Sequence, residues 1–432
     1  MLSYSLVCYD NLIDIVKSEP NRKDKEMNIL FLCGHYAFPT AANSICVQNM
    51  AEEFQRKGHK VFVLAKGCEY SGEKEVINGV TVWKHYGDAY GKVVVFFNEH
   101  RNWFCTVLFA IIQLFRYLYV VWFYPVTSPK DTWRLYQRAQ EIIDKEGIDI
   151  VVATFMPYEA IKAALNLKER YGNSLKVVTY HLDLLTNPNN KSSLISSVKK
   201  RQAEKAIKKE FLIVDRVLLP NTAPKIDNAK IEYVDFPLYI PEASDKGTDS
   251  YTFDQQDINI AIAGSLDNSN RNPLYFCKLI GMLPKIHGKT VKLHVWGRLS
   301  GVELQGLRNV EHHGMADVAE VPSILRGADF LLNVGNAITY KMIPSKIFQM
   351  FAAKKNILFC VRSDKDKSRP YFERYGYVSF IEEYVGNLEG DLKKITAFID
   401  SHYQKTVEVD DSLFISSTPA YICDRIIEKC EK

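Results

Sequence analysis

The chain has 432 residues, of which 47% are hydrophobic and 25% charged, and its formal net charge is +4 at pH 7. This length allows two domains with complete cores, the composition is that of an ordinary soluble globular protein, and the small charge argues against a nucleic-acid partner. Nine cysteines are present, without a Cys-x-x-Cys pair or a metal-ligand spacing to histidine. We therefore expect reduced thiols in a cytosolic chain and no metal site.

The N-terminal residues 1–26 precede the first convincing strand, and they lack the basic start and sharp cleavage site of a signal peptide. We interpret them as an extension, with Met27 as a candidate start. A buried strand at 27–33, a helix at 41–57 and a second strand at 60–64 then form a βαβ unit of the doubly wound type. The dinucleotide fingerprint Gly-x-Gly-x-x-Gly is absent from this unit.

The most unusual segment is residues 103–126, which carry a single charge, at Arg116. Three interpretations are open: a membrane-spanning helix, which the length permits; a buried core helix, since helices that are apolar all round are usually buried; and a helix lying in the membrane interface. The tryptophans and tyrosines at both ends suit the interface. We favour the interfacial interpretation.

Further alternating strands and helices, among them a helix predicted at 158–171, complete a first domain at 27–240. A strand at 175–180 delivers His181, Asp183 and Thr186 into a loop at its carboxyl end, where open parallel sheets place ligand-binding residues. The segment 241–256 is rich in Pro, Gly, Ser and Asp and predicts an interdomain linker. We expect a second domain at 257–405 and a terminal helix within 406–432.

The second domain opens with a strand at 258–263, followed by Gly264, Ser265 and a loop that carries Arg271. Small residues after a strand let a phosphate approach the backbone, and an arginine can grip the phosphate in bidentate fashion. A later strand ends at Gly297 and Arg298, Met315 follows the next one, and a helix is predicted at 318–326 after it. The alternative for Arg271 is a solvated surface charge.

Residues 327–360 predict a strand, a polar loop, a helix and a strand. Phe330-Leu331-Leu332 is a buried strand, and a turn-rich loop containing Asn336 follows it. Pro344 fits a first helical turn, which places Ser345 and Lys346 at a helix N-terminus, where phosphate binds. The alternative for Lys346 is again a solvated lysine.

Pro344-Ser345-Lys346, followed by Phe348-Gln349 and Ala352-Ala353, resembles the donor-binding segment of GT-B glycosyltransferases. The pattern is most similar to the retaining family 4 type, which assembles bacterial capsule, O-antigen and exopolysaccharide. The resemblance implies an α/β fold with two Rossmann-like doubly wound domains facing across a cleft, and a C-terminal helix that crosses back to the first domain.

The resemblance also implies a nucleotide diphosphate sugar as donor, a glycan or lipid-linked acceptor, and transfer with retention, without metal or cofactor. The enzyme would be cytoplasmic and peripheral on the inner face of the cytoplasmic membrane, which it would contact through residues 103–126. Arg271 and Lys346 would stabilise the departing diphosphate, and His181 or Asp183 would line the cleft near the sugar. The remaining donor-binding residues would be Gly264, Ser265, Gly297, Arg298, Met315, Asn336, Pro344, Ser345 and Gln349.

Three positions depart from the family pattern. Gln349 replaces the glutamate that holds the ribose, Lys341 stands where many members have another glutamate, and no glycine-rich loop follows Cys33. Three alternatives therefore stay open beside a transferase of lipid-linked acceptors: a catalytically degenerate GT-B chain that assists another transferase, a nucleotide-sugar epimerase on the same fold, and a transferase with a soluble acceptor.

Overall fold

The computed structural model describes residues 26–37, 42–66, 74–85, 93, 96–97, 100, 102–183, 185, 193–241 and 250–428. Nearly all of the predicted extension 1–26 lies outside these ranges, as do Thr186, residues 242–249 of the predicted linker 241–256 and residues 429–432.

The first half of the chain builds an eight-stranded sheet in the order β3-β4-β2-β1-β5-β6-β7-β8. All neighbouring strands are parallel except the β3–β4 hairpin. Central strands such as β1 are apolar on both faces because helices cover both sides of a doubly wound sheet. The strands are β1 Asn28–Cys33, β2 Lys60–Lys66, β3 Lys74–Ile77, β4 Val80–His85, β5 Ile150–Phe155, β6 Lys176–His181, β7 Arg216–Pro220 and β8 Ile231–Val234.

The helices of this half are α1 Ala42–Arg56, α2 Trp103–Phe123, α3 Pro129–Glu146, α4 Tyr158–Tyr171 and α5 Ser193–Ile213. Local sequence fixes their ends. The Ser128 hydroxyl accepts a hydrogen bond from the backbone of Asp131 at the start of α3, and Gly147 ends that helix in the left-handed conformation, as glycine without a Cβ readily does.

The second half builds a parallel six-stranded sheet in the order β13-β11-β9-β14-β15-β16, beside a small β10–β12 pair. Its strands are β9 Asp257–Ala263, β10 Leu266–Asp267, β11 Thr290–Trp296, β12 Leu299–Ser300, β13 Val310–His312, β14 Phe330–Val334, β15 Asn356–Val361 and β16 Val378–Glu382. Its helices are α6 Leu274–Met282, α7 Val321–Gly327, α8 Ile347–Ala352, α9 Arg369–Tyr375 and α10 Leu388–His402, followed by the terminal helix α11 Pro419–Ile427.

The terminal helix α11 leaves the second sheet and packs on α1 of the first. The Cys423 thiol donates to the carbonyl of Met50, Lys57 pairs with Asp424, and Arg425 pairs with Glu232 at 3.2 Å. The predicted α/β fold, two doubly wound parallel sheets with a terminal helix that crosses back, is confirmed.

Two local predictions were wrong. The helix expected to open at Pro344 begins at Ile347 and is only six residues long; the 344–346 segment instead forms a turn, in which the Pro344 and Ser345 carbonyls accept from the backbone of Ile347 and Phe348. The helix expected at 318–326 begins at Val321, where Pro322 occupies a first-turn position that suits its fixed φ.

Residues 103–123 of the apolar segment 103–126 form the helix α2, and none of the helix residues is buried. The interpretation as a core helix is therefore wrong, because no element of the described part of the chain covers its outer side. Within the described ranges, α2 is the one helix long and apolar enough to cross a membrane, by length and composition.

Candidate functional site

The candidate site lies where the carboxyl ends of β9 and β14 meet near the middle of the second sheet. Gly264 follows β9, and the loop after it carries Arg271; Gly335 follows β14, and the loop after it leads to Lys346. Because β9 and β14 are parallel neighbours, both loops leave the sheet at the same edge. Doubly wound folds bind ligands at such edges.

Asn270 ties the two loops together. The NH₂ group of its side chain donates to Asn336 Oδ1 at 3.1 Å and to Thr339 Oγ1 at 2.9 Å. Its side-chain oxygen Oδ1 accepts from the backbone N–H groups of Ile338 and Thr339. Arg362 donates to the Asn270 backbone carbonyl at 2.9 Å. One side chain thus uses both polar atoms to hold the second loop against the first.

The two predicted cations, Arg271 and Lys346, are brought to one point beside Gly264. A methyl group built on Gly264 would lie 3.6 Å from Arg271 Nη1 and 3.8 Å from Lys346 Cδ. Arg271 Nε donates to the carbonyl of Val334 at 3.1 Å, and its Nη1 donates to the carbonyl of Ser265 at 3.4 Å. The guanidinium is therefore held by backbone oxygens with its charge uncompensated by a direct ion pair among the described residues.

The proximity of Arg271 and Lys346 is electrostatically unfavourable, because both side chains are cations. Burial lowers the pKa of the Lys346 ammonium, and the Arg271 charge lowers it further. Burial also lowers the pKa of Arg271, while Asp267 and Asp366 oppose that shift. No carboxylate or other acceptor in the described chain pairs with the Lys346 ammonium. An anion bound between these groups would relieve the repulsion and satisfy the open donors.

Asp366 is a buried carboxylate at this edge that the sequence analysis missed. Its Oδ2 accepts from the Asn336 backbone at 3.3 Å, and its Oδ1 accepts from the Ser368 hydroxyl at 2.6 Å. Burial raises the pKa of this carboxyl. A Cβ at Gly335 would lie 2.7 Å from Asp366 Oδ2, so Gly335 is required for the close approach. An aspartate two residues before Ser368 in a turn was the available sequence signal.

Gly297 brings the end of β11 into contact with the same site. Its φ is +137°, and a Cβ there would lie 2.0 Å from the carbonyl oxygen of Gly264. The Gly264 N–H donates to Trp296 and the Gly297 N–H to Gly314, at 2.8 and 2.7 Å. Glycine is therefore needed at 297 for both its conformation and the close packing. Arg298 and Met315, the neighbouring predicted residues, are both exposed.

The remaining predicted donor-side residues are Pro344, Ser345 and Gln349. The first two form the turn before α8, and Gln349 lies on the first turn of that helix, half-buried. Asn336 is buried, and its amide donates to the Met342 carbonyl at 3.1 Å. Asn336 therefore shapes the loop, whereas Ser345 and Gln349 retain partly exposed side chains.

The two predicted polar residues at the edge of the first sheet, His181 and Asp183, have different partners. His181 is 2% exposed, and its Nε2 lies 2.8 Å from Glu210 Oε1, which also accepts from the Thr179 hydroxyl. Asp183 lies beyond the strand next to the start of α1, where Asn43 hydrogen-bonds to it; burial outweighs that contact and raises the pKa of Asp183 to about 6. His181 is thus part of a buried cluster, and substrate contact by either residue stays a prediction.

One group among the described residues has metal-ligand chemistry: His294, Glu311 and His313. His294 Nε2 lies 2.9 Å from Asn259 Oδ1, and its Nδ1 lies 3.0 Å from His313 Nε2. Since the Asn259 amide donates to backbone carbonyls, its oxygen accepts from His294 Nε2, which leaves His294 Nδ1 to accept from His313. This hydrogen bond accounts for the proximity of the rings, and we assign no metal to them.

No protein-family model and no curated protein matches the sequence. Among solved structures, the chain is similar to the glycosyltransferase of kitacinnamycin (10% identity, 94% of this chain and all of that one, TM-score 0.50). It is equally similar to the UDP-GlcNAc 2-epimerase from Methanocaldococcus jannaschii (10% identity, 93% and 99% covered, TM-score 0.50). The catalytic domain of starch synthase IV from Arabidopsis thaliana, bound to ADP and acarbose, matches at 10% identity, with 94% and 99% covered and a TM-score of 0.49.

These identities are too low to carry more than architecture. A transferase and an epimerase fit the chain equally well, over nearly the full length of each. The chain therefore has the GT-B fold, with two Rossmann-like domains.

Proposed function

We propose that this protein is a retaining glycosyltransferase that moves a sugar from a nucleotide diphosphate sugar to a glycan acceptor. The observation that carries the proposal is the convergence of Arg271 and Lys346 beside Gly264, at the carboxyl edge of a doubly wound sheet. Two adjacent cations without a carboxylate between them suit a diphosphate.

The chemistry follows from where charge develops in the reaction. As the bond between the sugar and the diphosphate breaks, negative charge accumulates on the departing phosphate oxygen, and preorganised cations stabilise that charge more than they stabilise the bound donor. The Asn270 hydrogen bonds hold the loops before substrate arrives, so little reorganisation accompanies the step. Gln349 would hydrogen-bond the ribose, and Asp183 would face the acceptor side.

The wider role follows from the family pattern around Pro344-Ser345-Lys346. We propose a place in bacterial surface polysaccharide synthesis, on the cytoplasmic face of the membrane, with a lipid-linked acceptor. The exposed apolar helix α2 supports this location, because soluble proteins seldom leave so large an apolar surface uncovered.

The first experiment is calorimetric titration of the full chain with a panel of nucleoside diphosphates and nucleotide sugars. We expect one nucleotide to bind, and we expect Arg271→Ala to weaken that binding at least tenfold, because a charge-assisted contact to phosphate is lost. Lys285→Ala is the matched control, since Lys285 is an exposed cation that precedes β11, at the opposite edge of the sheet; it should bind as wild type does.

Binding that Arg271→Ala leaves unchanged would overturn the diphosphate site. Incubation of the identified nucleotide sugar with membrane extract then separates the alternatives. Release of nucleoside diphosphate with a glycosylated lipid product supports the transferase; conversion of the sugar to its epimer would replace it with an epimerase, and binding without turnover would favour a degenerate partner of another transferase.

A further inference from the structure

The outer side of α2 is an apolar stripe with no protein covering it in the described structure. Trp103 is 79% exposed, Phe115 68% and Trp122 75%. The exposed positions recur every three or four residues, which places them on one side of the helix. They are Trp103, Phe104, Val107, Leu108, Ile111, Leu114, Phe115, Leu118 and Trp122.

The opposite side of α2 is half-buried, and the helix lies along α5. Gln202 of α5 donates to the Trp122 carbonyl at 2.8 Å. The Lys199 ammonium lies 5.6 Å from the ring centre of Tyr117 and 5.7 Å from that of Tyr124. Arg116 is on the half-buried side. A helix supported by its own domain along one side is suited to lie in a membrane interface rather than to cross the bilayer.

The end of α2 is fixed to the first domain. The Tyr124 hydroxyl donates to the Leu185 carbonyl at 3.1 Å. The buried Glu159 carboxylate accepts from the backbone N–H groups of Thr127 and Ser128, at 2.6 and 2.7 Å. The orientation of the apolar stripe relative to the fold is therefore set by hydrogen bonds that join the end of α2 to the loop after β6 and to α4.

A row of cations runs along α5 beside this stripe. Arg201, Lys205 and Lys208 are exposed and share one side of the helix by their spacing of four and three residues. Val198 and Leu212 continue the same row at 44% and 81% exposure. The row therefore carries three positive charges between two exposed apolar side chains; the one exposed carboxylate of α5, Glu204, lies 4.0 Å from the ammonium of Lys200.

We propose that the α2 stripe and the α5 row together form a docking surface for an anionic phospholipid bilayer. The nonpolar side chains of α2 enter the boundary between headgroups and acyl chains, and Arg201, Lys205 and Lys208 contact the phosphate groups. The terminal tryptophans suit the interface depth. A protein partner is disfavoured because lysine is depleted from protein–protein interfaces.

This docking surface deepens the membrane contact that belongs to the proposed function. Only its consequence for a lipid-linked acceptor rests on the proposed function. The bond from Tyr124 to Leu185 places the docked membrane beside the loop that carries Asp183, two residues earlier in the chain. A lipid-linked acceptor would thus reach the Asp183 side of the cleft without leaving the bilayer.

The test is co-sedimentation of the full chain with vesicles, without nucleotide, so that its result is independent of any transferase activity. The vesicles are pure phosphatidylcholine or phosphatidylcholine mixed with phosphatidylglycerol. We expect tighter binding to the mixed vesicles. The triple variant Arg201→Glu/Lys205→Glu/Lys208→Glu should lose about 100-fold or more of its partition onto mixed vesicles, at roughly fivefold per basic residue removed.

The matched control reverses the charge of three exposed lysines of the second domain, in the variant Lys278→Glu/Lys285→Glu/Lys405→Glu. It changes the net charge by the same amount as the α5 variant. We expect its partition onto vesicles to stay close to that of wild type. Leu114→Glu/Phe115→Glu should abolish binding to both vesicle types. Circular dichroism and thermal denaturation of each variant check that it is folded. Equal binding of wild type to the two vesicle types, or equal losses in the α5 variant and its control, would overturn the proposal.

Discussion

The carboxyl edges of the two sheets are built from similar strands but carry opposite chemistry. The edge of the second sheet gathers Arg271 and Lys346 beside glycine backbone, and the loops there are joined by Asn270. The edge of the first sheet presents Asp183, a carboxyl whose pKa burial raises to about 6. The cations of the second edge suit an anion, whereas the charge of the Asp183 carboxyl at the first edge changes as pH passes through about 6.

The difference suits the two edges of one fold to two different substrates. Fixed cations suit the esterified diphosphate of a nucleotide sugar, which is fully ionised near neutral pH, and rigid loops reduce the reorganisation that would accompany its departure. A carboxyl that titrates near neutrality suits hydrogen bonding or proton exchange with a hydroxyl group. If the acceptor binds at the first edge, substitutions at the two edges should have different effects on turnover and on its pH dependence.

The largest expected effect is on the cationic edge. Lys346→Ala should lower kcat for sugar transfer by about 100- to 1,000-fold, because it removes a charge aimed at the leaving group, while the free energy of unfolding changes little or rises as the repulsion with Arg271 is lost. Steady-state assays of nucleoside diphosphate release measure this, with Lys285→Ala, at an exposed position before β11, as the control. Turnover like that of wild type would remove the diphosphate argument.

The close packing at the same edge is tested by a substitution of Gly297. Gly297→Ala would place a methyl group 2.0 Å from the Gly264 carbonyl at a φ of +137°, and we expect it to lower the free energy of unfolding by roughly 3 kcal/mol or more. Gly306→Ala is the matched control, because its φ is also positive at +78° and nothing lies within 4 Å of its Cβ. Chemical denaturation should show a far smaller loss there; similar losses would mean that backbone conformation alone, and not packing on Gly264, matters.

The carboxyl edge is tested by Asp183→Asn across pH. Because the pKa of Asp183 in the folded state lies above its usual value, the cost of burying its charge is absent in acid and grows as pH rises through about 6. The variant should therefore gain stability relative to wild type as pH rises from about 4 to 8, by roughly 1 to 3 kcal/mol. Denaturant titrations at several pH values measure the gain.

The same substitution also tests the role of Asp183 in turnover. If the carboxylate acts on the acceptor, kcat/KM of wild type should rise with pH through about 6, and the variant should lose that inflection. Asp364→Asn, at an exposed position, should keep it. A stability gain without a change in the pH profile would restrict Asp183 to a structural role.

The smallest expected effect concerns Gln349. Gln349→Glu restores the residue of the family pattern, and a charged acceptor on a ribose hydroxyl should tighten nucleotide binding by about fivefold, equivalent to ~1 kcal/mol. Calorimetry measures the gain, with Gln305→Glu as an equal charge change at an exposed position. Unchanged or weaker binding would place the ribose elsewhere on this edge.

Much of the fold was predictable from the sequence because its strands and helices are locally encoded. Apolar runs bounded by glycine and polar residues predicted β1, β9 and β14 closely, and helix α4 has the predicted ends. Element order then restricts topology, since parallel strands joined by helices favour right-handed crossovers. The choice of Arg271 and Lys346 as partners came from the family pattern, and the structure independently brings them together.

Other features depended on contacts that no local pattern contains. The partners of His181 and Asp366 lie 29 and 30 residues away, at Glu210 and Asn336, so burial of these groups could not be deduced from spacing.

The sequence by itself determined the two doubly wound sheets and the apolar length of α2, because periodicity and composition act over a few turns of chain. Only the tertiary structure decided which side of α2 stays uncovered and which cations share one point, since both depend on side chains that approach from distant segments.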